Sequence, residues 1–169
     1  WTTPTPINLL SAFTANSIEF TSGYASHNFT TTNSSVLSLG SGGITVATGA
    51  NTASFGSSLS LALLANQMWV VAGNLSVSGV ISGTPTLTKA GAGTLTLAGT
   101  NTFTGSTSIN AGKLVIGADQ NLGTAPGTAT PGSLTFNGGI LNTTAQFTLA
   151  ANRGIALAGA GTIDTDAST

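Results

Sequence analysis

Few residues in this chain could do chemistry. Asp164 and Asp166 are its one close acidic pair. Two apart on a strand they share a face, with carboxyls roughly 6–7 Å apart. Glycosidic bond cleavage uses two carboxyl groups at about such a separation. Nothing beside them in the sequence supplies an orienting partner, however, and they read as two solvated carboxylates near a frayed end. His27, the single histidine, stands in Tyr24-Ala-Ser-His-Asn-Phe29 with no second His or carboxylate nearby. It makes neither a metal set nor a catalytic base and is expected on a surface loop. Gly91-Ala-Gly93 lacks the third glycine and following helix of a nucleotide loop. No Gly-Gly-x-Gly-x-Asp repeat occurs, which argues against a calcium-bound solenoid. Lys89 and Arg153 each precede a glycine corner and are expected to bond backbone carbonyls or lie along the rod. The sequence therefore assigns no catalytic, metal-binding or cofactor-binding residue, and no cofactor.

What positions these residues is a recurring phrase: Gly, any residue, Leu, any residue, a large apolar residue. It occurs as Gly73-Asn-Leu75-Ser-Val77, Gly93-Thr-Leu95-Thr-Leu97, Gly112-Lys-Leu114-Val-Ile116 and Gly132-Ser-Leu134-Thr-Phe136. The glycines step by 20, 19 and 20 residues. The inner period of two marks a strand with one buried face. The outer period of about 20 marks a strand laid on its predecessor once per coil. The glycine before each strand fits a corner, where positive φ is needed. These features predict an all-β fold, a β-solenoid with roughly 20 residues per coil. Leu75, Leu95, Leu114 and Leu134 are expected to stack in one column. Asn101, Asn121 and Asn142 recur at 20 and 21 residues and are expected to form an amide ladder inside successive turns.

Composition narrows the class. Charged residues make up 4 % of the chain and net charge is −1, against about 25 % charged in an ordinary soluble domain. No basic patch exists to bind nucleic acid. Disorder is disfavoured, because 40 % of the residues are hydrophobic and they are periodically placed. No run of ~18 apolar residues spans a membrane, so no membrane insertion by this segment is expected. Cysteine is absent, excluding disulfides and thiolate metal sites. The chain opens at Trp1 without a recognisable signal peptide and is expected to be a processed or excised piece.

Along the chain, 1–169 reads as one solenoid domain. Residues 1–16, with Pro4 and Pro6, read as an irregular cap in which Trp1, Ile7, Leu9, Leu10 and Phe13 cover an open end. Residues 17–72 carry weaker copies of the repeat, and Ser60–Asn66 is read as strand rather than helix. Residues 73–123 are the most regular. A second apolar position (Val80 or Ile81, then Phe103) and a third (Leu87, Ile109) suggest three faces per coil. Residues 124–132, with Pro126 and Pro131, read as a loop insertion. At ~20 residues per coil the chain makes roughly eight coils, on the order of 40 Å of rod. N-glycosylation acceptor patterns begin at Asn28, Asn33, Asn74 and Asn142, as chance allows in so Asn-, Ser- and Thr-rich a chain.

The segment from Leu87 through Lys89, Gly91-Ala-Gly-Thr-Leu95, Asn101-Thr-Phe-Thr-Gly105 and Ala111-Gly-Lys-Leu114 resembles the autotransporter-associated β-strand repeat, the passenger-associated transport repeat of bacterial secreted and surface proteins. The resemblance covers about residues 87–123. It implies a right-handed parallel β-helix outside a bacterium, in a family that includes adhesins, surface fibres and passenger scaffolds.

Three functions compete. The first is a non-enzymatic extracellular structural or adhesive solenoid, whose partners are copies of itself or neighbouring coils. The second is a module binding a glycan or a surface through a Thr/Ser-rich flank. Ice binding is a special case of it, motivated by Thr86, Thr88, Thr94, Thr96, Thr102 and Thr104. The third is a carbohydrate-active enzyme using Asp164 and Asp166. The first is expected.

Overall fold

The computed structural model describes residues 7–22, 26–50 and 52–165. Within them the chain winds as an all-β solenoid of about seven turns with about 22 residues per turn. The first coil holds β1 (Ile7–Asn8) and β2 (Phe13–Phe20), and the second β3 (His27–Thr30) and β4 (Val36–Val46). The third holds β5 (Ala53–Phe55), β6 (Ser60–Leu63) and β7 (Gln67–Val71). The fourth holds β8 (Asn74–Val77), β9 (Ile81–Ser82) and β10 (Leu87–Ala90). β11 (Thr94–Leu97) and β12 (Thr107–Ile109) form the fifth. The sixth contains β13 (Lys113–Ile116), a 3-10 turn (Asp119–Leu122) and β14 (Thr130–Phe136). The seventh contains β15 (Ile140–Thr143) and β16 (Arg153–Leu157), and β17 (Thr162–Thr165) follows it.

Every strand pairs in parallel with its counterpart one coil away, as a chain returning to the same face in the same direction requires. One face is the eight-stranded sheet β1-β3-β5-β8-β11-β13-β15-β17. The nine other strands form a second sheet that covers two faces. The eleven-residue β4 joins them: Val36–Leu39 pair with β6, and Ile44–Val46 pair with β7. β2 crosses the same edge beneath β4, with its register shifting between Ala15 and Ser17. Three faces per coil is thus what the chain builds. Ser60–Leu63 is strand.

Alternation does the sorting. In β8, β11 and β13 the Leu and the following apolar residue are buried, and the residues between them face outward. The inward residues form continuous columns, each burial stabilising by about 1.5–3 kcal/mol. Gly91 and Gly112 turn corners with φ of 78° and 65°. Gly73 and Gly93 do not take positive φ. Gly93 is needed for close approach instead, since a Cβ there would be driven into the Gly73 carbonyl oxygen.

On the eight-stranded face two steps are well above the expected 20. His27 pairs with Ala53, and Leu114 with Leu141, steps of 26 and 27 residues. The second corrects the expected column. Leu75, Leu95 and Leu114 do lie over one another, but the residue above Leu114 is Leu141, not Leu134. Leu134 belongs to β14 on another face, paired with Thr107 and Ile155. The extra residues between Ile116 and Thr130 carry the Gly132 phrase round to that face, so its spacing of 20 is coincidental. The excursion also starts before the expected 124–132 loop, at the 3-10 turn, and ends at Thr130, where β14 begins. Of the expected irregular cap, residues 7–8 and 13–16 are laddered strand, and residues 1–6 lie outside the described residues.

Candidate functional site

The scattered charges resolve into internal staples. Lys89 alternates with Leu87 on the inward face of β10, where its register neighbours are Trp69 and Ile109. An ammonium is expensive there unless fully bonded. Its Nζ donates to the carbonyls of Ala90 (3.0 Å), Gly91 (2.7 Å) and Ala111 (3.1 Å), tying two successive corners together. Burial lowers its pKa from 10.5 to about 8.

Arg153 holds a second staple. Its Nη1 and Nη2 donate to the carbonyls of Leu122 and Gly123. Its Nε and Nη2 also pair with the Asp119 carboxylate at 2.9 and 3.1 Å. Asp119 accepts the Ala150 N–H as well. Burial pushes the Asp119 pKa up, but the Arg153 hydrogen bonds, the Ala150 amide and the Arg153 charge outweigh it and hold the group below its ordinary value. The carbonyl bonds were readable from the corner position of Arg153. The ion pair was not, because Asp119 lies 34 residues away on the excursion.

Of the three asparagines, two are linked. Asn101 Oδ1 accepts the Ile81 N–H, and its Nδ2 donates to the Asn121 carbonyl. Asn121 Nδ2 donates to the Gly99 carbonyl, and its Oδ1 accepts the N–H groups of Gly117 and Ala118. Asn142 does not join them. It lies in β15 and donates to Asp164, which also pairs with Lys113 at 3.4 Å. The 27-residue step that displaced Leu134 displaces Asn142 too.

His27 is not on a surface loop. It opens β3, half-buried, with its ring edge-on to Phe20 at 5.6 Å between centroids. Phe29 and Phe55 pack in turn on Phe20 and on each other. Asp166 lies outside the described residues, so the acidic pair has no geometry. Among the described residues, no group of three or more His, Asp or Glu could hold a metal ion. No described helix is long and apolar enough to cross a membrane.

The threonines point outward on different faces. Thr94 and Thr96 stand on the eight-stranded sheet, Thr102 and Thr104 flank buried Phe103, and Thr88 stands on β10. On the eight-stranded sheet, Ser54, Ser76 and Thr96 are in register above Asn28, and Ser54 Oγ donates to Asn28 Oδ1. The row is broken by Val115 in the next coil.

The first and last described coils expose apolar residues that the coils between them bury. At the last coil Ile155, Leu157 and Ile163 are exposed, although their columns are buried beneath them. Beside them an apolar cup of about 620 Å³ opens between Leu141, Ile163, Thr165 and the segment carrying Phe147 and Leu149. At the first coil Ile7, Leu10 and Phe13 are exposed.

Residues 87–116 match the passenger-associated-transport-repeat family, the repeat that this segment resembles in sequence. A stretch of 93 residues, 55 % of the chain, is 47 % identical to the adhesin BmaC autotransporter of Brucella suis biovar 1. That stretch spans about 2 % of the length of this relative. No solved structure matches the chain at a significant level.

Proposed function

We propose that this chain is a non-enzymatic, adhesive stretch of an extracellular bacterial passenger, acting as a stiff rod that presents neutral hydroxyl and amide faces. The observation that carries this reading is where the charges go. Lys89, Arg153 and Asp119 are spent on holding coils together, and what faces solvent in the regular region is mainly Thr, Ser and Asn. Likeness to an autotransporter adhesin supports the same reading. The rod's sides touch the partner, a neutral surface glycan being the class that uncharged hydroxyl rows suit. Its ends stack on copies of itself. The test is retention of beads coated with the purified chain on cells or glycan arrays. Retention that survives high salt is expected, since little charge is involved. Beads that bind no surface, or polysaccharide shortened by the chain, would sink the reading.

A further inference from the structure

We propose that a groove in the side of the rod seats one neutral pyranose ring of a surface glycan. This rests on the glycan reading given above and assigns it a place. The groove holds about 370 Å³, inside the range of about 300–1,000 Å³ typical of small-molecule sites. Three successive coils build it, and Thr96, Ala98, Thr100, Val115, Gly117 and Thr144 line it. It lies where the eight-stranded face reaches its corner. Leu97 pairs with Ile116, and Ile116 with Thr143, so Ala98, Gly117 and Thr144 follow one above another just past those strands. Gly117 leaves the gap between the other two, since a Cβ there would come within 3.3 Å of Thr144 Oγ1. Its N–H donates to Asn121 Oδ1 as the chain enters the 3-10 turn. The groove thus opens where the excursion begins.

The lining is amphipathic and carries no charge. Val115 and Ala98 turn apolar groups outward. The Thr96 and Thr100 hydroxyls have no hydrogen-bond partner among the described residues, so each can donate and accept. Thr144 Oγ1 donates to the Ile116 carbonyl and is left to accept. A pyranose ring has the matching parts, an apolar C–H face to lie on Val115 and Ala98 and hydroxyls around its edge. Val115, which interrupts the row Asn28, Ser54, Ser76, Thr96, thereby gains a use. An acidic sugar is disfavoured. No cation lines the groove, and the Lys113 ammonium, two residues before Val115, is paired with Asp164.

The experiment probes an array of neutral, sialylated and sulfated oligosaccharides with the labelled chain and its variants. Thr96→Val combined with Thr100→Val keeps the shape of the groove and removes its free hydroxyls. Ala98→Trp fills it. Ser54→Ala, in the same row as Thr96 but outside the groove, is the control. Circular dichroism checks that each variant keeps the β fold, and the double Val variant decides alone if the Trp variant does not. The wild type captures neutral glycans, and high salt leaves the capture unchanged. The double Val variant binds about 100-fold more weakly, about tenfold for each hydroxyl. Ala98→Trp abolishes capture, and Ser54→Ala leaves it as it was. Capture undiminished in the double variant, or lost equally in Ser54→Ala, overturns the groove and leaves the glycan reading standing. A wild-type chain that captures no glycan, or that prefers acidic ones, overturns the groove and the glycan class together. Bead retention on cells reads adhesion separately.

Discussion

Residues 73–116 and residues 117–157 of the same rod are held together by different means. In the first stretch strands pair at steps of 19 and 20 residues, and the ladder passes from coil to coil on the eight-stranded face without a break. Side chains there add to a structure the backbone already holds: Lys89 ties two corners, and Asn101 fastens the turn. In the second stretch the excursion after Ile116 and the unladdered segment before Ala150 leave carbonyls unpaired. One guanidinium and one carboxylate take over, and Arg153 binds Leu122, Gly123 and Asp119 together. The regular stretch buries one charge bonded to carbonyls, Lys89, whereas the excursion is closed by a paired guanidinium and carboxylate.

The largest expected effect breaks that contrast at its irregular side. Arg153→Met takes the guanidinium away from the Asp119 carboxylate and from two carbonyls, and a loss of about 3–5 kcal/mol is expected on chemical denaturation. Asp119 sharpens the point through pH. Its folded-state pKa is depressed, so its contribution is present above the unfolded pKa and is lost as pH falls through the folded one. Asp119→Asn should remove that part of the acid sensitivity. A wild-type acid transition reproduced unchanged by the Asn variant would show that the clasp carries no weight.

In the regular stretch, Leu95→Ala opens a cavity between Leu75 and Leu114 and is expected to cost about 2–5 kcal/mol. Lys89→Met strands three carbonyls in the interior and is expected to cost about 1–3 kcal/mol near neutral pH. Its pH behaviour runs opposite to that of Asp119. Folded Lys89 titrates at about 8 rather than 10.5, so between these values the unfolded chain binds more protons and stability rises with pH. The Met variant should lack this rise, as urea midpoints at pH 7.5 and 10.5 would reveal. Smallest of all, Lys113→Ala removes an exposed pair with Asp164 and should shift stability by about 1 kcal/mol or less.

The regular stretch was legible in sequence because its period is short and its alternation strict. Leu75, Leu95 and Leu114 could be placed over one another from spacing alone. Leu134 and Asn142 were misplaced for a common reason. Counting residues assumes constant coil length, and the 27-residue step from Leu114 to Leu141 broke the count while preserving a Gly-x-Leu phrase by chance. His27 was misread because the ring it packs on, Phe20, comes from the preceding coil. Lys89 could be read from its place before a corner, but its burial could not, since nothing local says that a lysine at an inward position will find three carbonyls.

The way each coil leans on its predecessor bears on how the molecule is made. A strand here finds its partner about one turn back along the chain, so a polypeptide delivered gradually from one end can settle coil by coil, each finished layer templating its successor. One step asks the growing rod to wait. The 3-10 turn at Asp119 stays unclasped until Arg153 has arrived, so the layer above must be in place before the layer below is locked.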